Sequence, residues 1–173
     1  QLTNEMFTDD MALYVEMMED NYHTSPIVGL AWGNNKKIYT TNNLAVFESQ
    51  PFIDWLMDET RKKNVYDAKR TYVALNRYVG KMTGIAFDVL LAAYLLDTND
   101  NNADIEGVAQ HYGYDAIQSD EAIYGKGAKK GLPEDEEVFF GHLARKIKAI
   151  QFLTSKLDSE LTEKNQADLF YKM

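Results

Sequence analysis

The chain has 173 residues, a mass of 19.8 kDa and a formal net charge of -9. This length suits one ordinary domain, and a hydrophobic content of 45 % is enough to build a core, which argues against intrinsic disorder. The acidic balance opposes non-specific binding of nucleic acid by the domain as a whole. The absence of cysteine excludes disulfides, thiolate zinc sites and a cysteine nucleophile, and it suits a reducing cytoplasm, where we expect the protein.

No apolar segment approaches the roughly 18 residues that a membrane-spanning helix needs. The most apolar stretch, Val89 to Leu96, is bracketed by Asp88 and Asp97. The chain begins QLTNEMF, which contains no basic leader, no apolar signal segment and no initiator methionine. We therefore expect a monomeric piece of a longer protein that forms a single domain over residues 1–173 and has no membrane partner.

The first segments of the sequence predict an antiparallel meander. Met11 to Met17 is apolar on both faces except at Glu16, as is typical of a buried strand. Pro26 to Trp32 is predicted to be a second strand. Gly33-Asn34-Asn35 then forms a hairpin-type turn into a third strand, Lys36 to Thr41.

Beyond residue 41 the pattern changes to a helical period, interrupted by one further strand. Asn42 or Asn43 can cap a first helix, and a helix buried all round is expected to start at GIAFD (residues 84–88). The other predicted elements are a helix around Phe52–Met57, a strand at Asn64–Tyr66, a helix with Tyr72–Asn76 near its middle, a helix at Asp104–Tyr112, a helical turn at Asp120–Tyr124, a long amphipathic helix from Glu134 to Leu157, and a last turn with Leu161 and Leu169. Strands followed by helices indicate an α/β or α+β fold with a mixed sheet.

Two segments are similar to ligand-binding loops but depart from the required spacing. Asp97–Glu106 offers three ligand positions of a calcium loop, yet Asn102 replaces the glycine of the sharp turn and Val108 replaces the bidentate glutamate. Gly125–Gly131 lacks the GxxxxGK[ST] spacing of a phosphate loop. We interpret both as surface loops. Contact with a nucleic acid backbone stays open for three lysines of the second loop: Lys126, Lys129 and Lys130.

The histidines and carboxylates show no clear catalytic pattern. The histidines are His23, His111 and His142. None has a histidine or carboxylate three or four residues further on that would convincingly face it across a helix as a metal pair. His142 lies beside the apolar stripe of the long helix, and we expect a partly exposed packing residue. Glu16, Asp88 and Asp97 lie in or beside the most apolar segments, and Asp88 can cap the helix that follows it.

Four segments in order along the chain carry a family resemblance. They are NYHTSPIVGLAW (21–32), VYDAKRTYVAL (65–75), GIAFDVLLAAYLLD (84–97) and DEAIYGKGAKKGLP (120–133). Together they resemble the 3′-5′ exonuclease domain of bacterial DNA polymerase I, a family A polymerase, and most closely those polymerases whose proofreading domain has decayed. The resemblance covers essentially the whole chain. It implies a ribonuclease-H-like α/β fold, in which three antiparallel strands precede crossover strands and helices flank the mixed sheet.

The resemblance also implies where an active member of the family would hold two divalent metals, with about four carboxylates. The Asp-x-Glu pair of the first strand aligns with Val15 and Met17. A register shifted by one residue would instead bring Glu16 to one ligand position, paired with Tyr14 or Met18. Neither register restores both acids.

The other two motifs of the family are also degenerate here. The second-motif aspartate aligns with Thr71, and the Tyr-x-x-x-Asp motif of the last helix aligns with Leu143 and Ile147, flanked by Lys146 and Lys148. The aligned positions are thus apolar or neutral, apart from Glu16 in the shifted register. Two dications at such positions would meet uncompensated desolvation and repulsion.

We therefore expect a catalytically inactive exonuclease-like domain that has no metal or cofactor of its own. It would support the polymerase domain of the same chain in DNA replication and repair, and it would meet DNA through the parent protein, whose polymerase would use Mg²⁺. Two alternatives stay open. One is a residual metal-dependent exonuclease that uses Glu16, Glu19 and Asp88. The other is a nucleic-acid or protein binding module that uses the lysine loop and the basic run Arg61-Lys62-Lys63.

Overall fold

The computed structural model describes residues 1–97, 104–164 and 170. Its centre is a 5-stranded mixed sheet in the order β3-β2-β1-β4-β5. The strands are β1 (Met11–Met17), β2 (Ile27–Gly33), β3 (Ile38–Thr41), β4 (Lys63–Val65) and β5 (Ile85–Asp88). The first three strands pair antiparallel, whereas β4 and β5 run parallel to β1. The predicted α/β class, the meander and the later crossover strand are confirmed.

Helices cover both faces of the sheet. Those of the described residues are α1 (Gln50–Met57), α2 (Ala68–Asn76), α3 (Val89–Leu96), α4 (Ile105–His111), α5 (Asp120–Tyr124) and α6 (Glu136–Glu163). Short 3-10 turns lie at Asn4–Met6, Leu44–Glu48 and Gly127–Lys129. None of the described helices is both long enough and apolar enough to cross a bilayer.

The sheet separates two apolar cores, and strand β1 contributes to both. Every residue of β1 is buried, as the sequence predicted. Its side chains alternate between the two faces, as the strand period of two requires. Tyr14 joins a core built around α3, α4 and α6, whereas Leu13, Val15 and Met17 join the core beneath α1 and α2. The alternation decides which residues of β1 can meet the last helix.

Two predictions around residue 85 are wrong. Residues Ile85–Asp88 form strand β5 rather than the start of a helix, because they pair in parallel with β4. The helix begins only at Val89, where the side chain of Asp88 accepts the backbone N–H groups of Leu90 and Leu91, so the predicted cap is confirmed. Helix α3 is also not buried all round, because Tyr94 is 57 % exposed.

Several element boundaries differ from the prediction by a few residues. Asn43 caps a 3-10 turn instead of an α-helix, because its side chain accepts a hydrogen bond from the backbone N–H of Ala45. Helix α6 continues to Glu163 and includes Leu161, which packs in the core. Leu169 and residues 98–103 of the rejected calcium loop lie outside the described residues.

Candidate functional site

A buried carboxylate lies on β1 at the foot of a cleft. Glu16 is 1 % exposed and points to the face of the sheet that α6 covers. Two tyrosines donate hydrogen bonds to its carboxylate, Tyr124 from α5 at 2.8 Å and Tyr14 from the same strand at 3.3 Å. The backbone N–H of Met17 adds a further bond at 3.3 Å. The polar partners offset the cost of removing this charge from water.

Lys146 of α6 supplies the opposite charge. Its side chain is 4 % exposed, and its ammonium donates to Glu16 Oε2 at 2.6 Å and lies 2.8 Å from Asp120 Oδ1. A third contact joins the ammonium to the hydroxyl of Tyr14 at 3.2 Å. The ammonium also lies 4.5 Å from the centre of the Tyr14 ring, within cation–π range. One cation thus serves two carboxylates.

Burial and the charges of the network shift the pKa values of Lys146, Asp120 and Tyr124. Burial alone would lower the pKa of Lys146, but the charges of Glu16 and Asp120 and the Tyr14 hydroxyl outweigh it and raise this pKa above its ordinary value. Burial opposes ionisation of Asp120 as well, yet the bond from His142 and the charge of Lys146 hold the pKa of Asp120 well below its usual range. Burial, followed by the charge of Glu16, raises the pKa of Tyr124. The lysine is therefore charged and the tyrosine neutral near neutral pH.

His142 extends the network from the turn of α6 that precedes Lys146. Its Nε2 lies 2.7 Å from Asp120 Oδ1, and because a carboxylate only accepts, Nε2 is the donor. Its Nδ1 is buried and has no hydrogen-bond partner among the described residues. The residue is 0 % exposed, so the prediction of a partly exposed histidine is wrong. Its partner lies 22 residues away, at the start of α5, which no local spacing rule reaches.

Three of these groups could in principle hold a metal ion. Ligand atoms of Glu16, Asp120 and His142 all lie within 4.8 Å of one another. The ammonium of Lys146, however, is already bonded to two of the three. A dication would have to displace that charge or lie beside it, and the second case costs like-charge repulsion at short range. The side chains as they are arranged do not fit the pair of metals that the fold family implies.

A cleft of about 210 Å³ opens above the network. Its walls carry many carboxylates and few cations. The acidic residues that line it are Glu16, Glu19, Asp20, Asp67, Asp104, Glu106 and Asp120, and the basic ones are Arg70, Lys130 and Lys146. The hydroxyl of Tyr66 is buried and has no partner within the described ranges. The excess of negative charge makes the cleft a poor receptor for a phosphodiester.

The structure separates the degenerate positions implied by the resemblance. Val15 and Met17 pack beneath α1 and α2, whereas Leu143 and Ile147 pack on the opposite face of the sheet. Thr71 is buried in the first turn of α2, where its hydroxyl donates to the Asp67 carbonyl. Of the two registers on β1, the shifted one places its side chains on the face that α6 covers, since Tyr14 packs in that core and Glu16 bonds to Lys146.

Other residues singled out in the sequence take different places. Lys126, Lys129 and Lys130 are exposed around a 3-10 turn, and Lys130 lines the cleft. Asp88 accepts four backbone N–H groups at the starts of α2 and α3 and is a structural residue. In the basic run, Lys63 is fully buried and donates to the Asp58 carbonyl.

Sequence reasoning missed the roles of Lys146, Asp120 and Tyr124. The available signal was the pair His142 and Lys146, which are four residues apart and therefore share one face of a helix. Neither could be assigned a partner, because Glu16 is 130 residues away from Lys146 in the chain.

Comparison with known proteins gives the family of the chain and agrees with its fold. Residues 13–153 match the family model described as DNA polymerase I, ribonuclease H-like domain. The chain is 42 % identical to DNA polymerase I of Geobacillus stearothermophilus over 172 residues, which is 99 % of this chain and 20 % of that protein. It is 38 % identical to DNA polymerase I of Bacillus subtilis, over 99 % of this chain and 19 % of that protein. The chain thus spans about a fifth of these curated relatives.

Solved structures with low sequence identity share the fold. A structure titled POL domain of Pol1 from M. smegmatis, in complex with DNA primer-template and dNTP, has a TM-score of 0.72 at 17 % identity, over 98 % of this chain and 27 % of that one. Brucella melitensis NrnC with bound Mg2+ has a TM-score of 0.76 at 13 % identity, over 96 % of this chain and 80 % of that one. A structure titled apo form of the nuclease has a TM-score of 0.78 at 12 % identity, over 98 % and 81 %.

The fold and the family match together define a ribonuclease-H-like domain of the α/β class, similar to 3′-5′ exonuclease domains. More particularly, the chain belongs to the ribonuclease H-like domain family of bacterial DNA polymerase I.

Proposed function

We propose that this domain is a catalytically inactive 3′-5′ exonuclease-like domain that supports the polymerase domain of the same chain. The observation that carries the proposal is the ammonium of Lys146, which lies between Glu16 and Asp120 and supplies the cation of the site from the protein itself. A tethered charge neutralises the carboxylates but activates no water and presents no open coordination position. Hydrolysis of a phosphodiester would lack the Lewis acid that activates water and stabilises the leaving oxygen.

The apolar surroundings of the network support the same conclusion. An active site of this class needs about four carboxylates around two metals. Here Leu143 and Ile147 are both 0 % exposed and belong to the core around α6, which leaves no polar ligand at either position. Burying these side chains stabilises the fold, at ~25 cal/mol for each Å² of apolar surface removed from water. Packing takes the place of ion binding.

Metal titration of the purified chain tests the inactivity. We expect Mn²⁺ or Mg²⁺ to produce no saturable rise in melting temperature and no cleavage of single-stranded DNA. The Lys146→Ala variant serves as the comparator, because removing the ammonium uncovers Glu16, Asp120 and His142. We expect metal to raise the melting temperature of this variant, since a ligand that binds only the folded state stabilises it. Saturable stabilisation of the unaltered chain, together with release of nucleotides, would overturn the proposal.

A residual metal-dependent exonuclease is the second candidate, and the grouping of Glu16, Asp120 and His142 favours it. If this candidate holds, Glu16→Gln abolishes cleavage, whereas the control Glu106→Gln, which changes an acid of the cleft wall outside the group of three, leaves most of it. Absence of metal-dependent cleavage from the unaltered chain would exclude it. Asp88, named as a candidate acid from the sequence, has no place in this variant of the mechanism because it caps two helices.

The supporting role rests on the lengths of the relatives. DNA polymerase I of two bacilli is about five times longer than the matched region, so the proposal includes a polymerase domain in the same chain and a role in DNA replication and repair. A cytoplasmic location, a monomeric chain and contact with DNA through the polymerase belong to the same proposal. Full-length protein with Glu16→Gln and Lys146→Met should polymerise at the unaltered rate, whereas core substitutions should accelerate its thermal inactivation. Loss of polymerisation in the first variant would speak against a purely supporting role.

A further inference from the structure

The outer face of α6 differs in charge from the rest of this acidic chain. Between Val138 and Leu157 the sequence contains no aspartate or glutamate. Its basic residues are Arg145, Lys146, Lys148 and Lys156. Lys146 is buried in the ion-pair network, but the other three are exposed. At 100° per residue, Arg145, Lys148 and Lys156 fall on the side of the helix opposite the core.

An aromatic pair lies between these charges. Phe152 is 37 % exposed, four residues from both Lys148 and Lys156, and therefore on the same face. Its ring packs against Tyr114 with a centroid distance of 5.0 Å and an interplanar angle of 32°. The second ring holds Phe152 in place, so that its outer surface is a fixed apolar platform. The ring between two lysines leaves apolar surface exposed to water, and nothing in the described fold requires this exposure.

The platform borders a groove. The outer face of α6, by which we mean Lys148, Gln151, Phe152, Ser155, Lys156 and Ser159, lines a depression of about 600 Å³ together with Asn35 and Tyr114. Asn35 belongs to the β2–β3 turn, in which the side chain of Asn34 accepts the N–H groups of Lys36 and Lys37 and fixes the turn. Both of these lysines are exposed. The turn therefore adds positive charge beside the groove.

The depression continues into a second one of about 790 Å³, with Asn35, Gln151 and Ser155 shared between them. The second part carries Lys62 and two acids, Asp10 and Asp158, so the basic character is strongest at Phe152. Beside the outer face, the carboxylate of Glu160 lies 3.6 Å from the Lys156 ammonium. Both partners are at the surface, and such a pair contributes little and exchanges readily for another anion.

We propose that the outer face of α6 binds single-stranded nucleic acid. Lysines spaced along a groove contact successive phosphates, and an exposed ring stacks on a base whatever the sequence, which is the general pattern for single strands. Lys148 and Lys156 are ~12 Å apart along the helix axis. At ~3.4 Å per nucleotide that distance corresponds to about three or four nucleotides. An acidic peptide would match the charges but would leave the aromatic platform unused.

This site is separate from the acidic cleft, because its residues face away from the core that contains Lys146. The proposal holds whether or not the cleft retains nuclease activity. Binding and cleavage are therefore measured separately, and failure of either leaves the other standing.

Fluorescence anisotropy of a labelled oligothymidylate of about 12 nucleotides tests the proposal. We expect saturable binding to the 173-residue chain at low salt. The variant with Lys148→Glu and Lys156→Glu should bind about tenfold more weakly or worse, and its plot of log K against log salt should be shallower by ~0.7 for each phosphate that the variant no longer neutralises. Phe152→Ala should weaken binding about tenfold without changing that slope, because stacking releases no counterions.

A matched control carries the same change of charge elsewhere. Lys69→Glu together with Lys81→Glu alters two exposed lysines on and after α2, on the other side of the sheet, and we expect it to change affinity less than twofold. Far-UV circular dichroism and melting temperature confirm that all variants fold. Absence of saturable binding, or an equal loss of affinity in the variant of Lys69 and Lys81, would overturn the proposal. So would an acidic peptide of equal charge that binds as tightly and is insensitive to Phe152→Ala, because that result would assign the face to a protein segment.

Discussion

At the scale of single residues, the main feature is a buried lysine that is bonded to two carboxylates. Lys146 and Glu16 are both almost fully buried and meet at 2.6 Å. Such a pair gains little stability over an apolar pair of similar volume, since each ion must leave water. Removal of one partner alone is different, because it leaves a buried charge without compensation. The network therefore makes the two residues mutually dependent.

Lys146→Met should destabilise the chain by about 3–5 kcal/mol. The reason is that Glu16 then keeps only its tyrosine and backbone donors. The double variant with Glu16→Gln should recover at least half of that loss. Urea unfolding with a constant m-value measures both effects. Equal instability of the single and double variants would mean that the pair is not coupled.

Lys63 provides a test of pH dependence in the opposite core. Burial lowers its pKa to about 8. The unfolded chain, with a pKa of ~10.4, binds more protons than the native chain between these two values, so stability rises as pH rises through this window. Across this window the free energy of unfolding rises by an amount on the order of 3 kcal/mol at most. Lys63→Met should remove that rise, whereas the exposed Lys62→Met variant should retain it in unfolding curves recorded from about pH 7.5 to 10.5. Parallel curves for the two variants would contradict the expected role of Lys63.

At the scale of elements, β2 and α6 approach so closely that only glycine fits between them. A Cβ placed on Gly29 would lie 2.7 Å from Phe139 Cζ and 3.0 Å from Leu143 Cδ1. Both of these side chains belong to the longest helix, which also contacts β1, β3 and β4. The tight contact fixes the distance between α6 and the sheet, and with it the distance from Lys146 to Glu16.

Gly29→Ala should destabilise the chain by about 1–3 kcal/mol, because an extra methyl in a packed interface displaces its neighbours. Phe139→Leu in the same chain should restore part of the loss by making room. Gly131→Ala is the matched control, since a Cβ at that position meets no atom within 4 Å. Thermal unfolding of the four chains distinguishes them. A Gly131 variant as unstable as the Gly29 variant would show that contact with α6 is not the cause.

The strand meander was predictable because the period of two and the turn residues are local. Strand β5 was not, because Ile85–Asp88 reads as the beginning of an apolar helix, and only pairing with β4 makes it a strand. The site was predicted in part. Glu16 stood out as the acid in a buried strand, whereas Asp120 and His142 meet across 22 residues and Lys146 meets Glu16 across 130. Contacts at those separations leave no periodic pattern in the amino-acid sequence.

At the scale of the whole molecule, the net charge of -9 and the buried network determine the response to acid. The pKa of Asp120 lies below its usual range, and bonds from Thr60 and Arg61 lower the pKa of Asp58 to about 2. A carboxyl group with a lowered pKa contributes stability above its unfolded pKa of ~3.9 and loses it as pH falls through the folded value. Acid therefore removes the contribution of both groups to the stability of the fold.

We expect the chain to lose stability steeply as pH falls from about 4 towards 2. Asp120→Asn and Asp58→Asn should each reduce that pH dependence, because neither amide titrates. Replacement of the exposed Glu121 by Gln, next to Asp120 on α5, is the control. Circular dichroism at a series of pH values measures the midpoint. An unchanged acid midpoint in both Asp variants would mean that other carboxylates control acid unfolding.

The long separation between Glu16 and Lys146 has a consequence for synthesis. A ribosome adds about 5–20 residues per second, so roughly 6–26 seconds pass before the lysine follows the glutamate. During that interval β1 holds an acid whose counter-charge has not yet been made. The core beneath α1 and α2 draws only on residues up to Ile85 and can assemble first. The nascent domain is thus completed from one side of the sheet, and docking of α6 is the event that neutralises its interior.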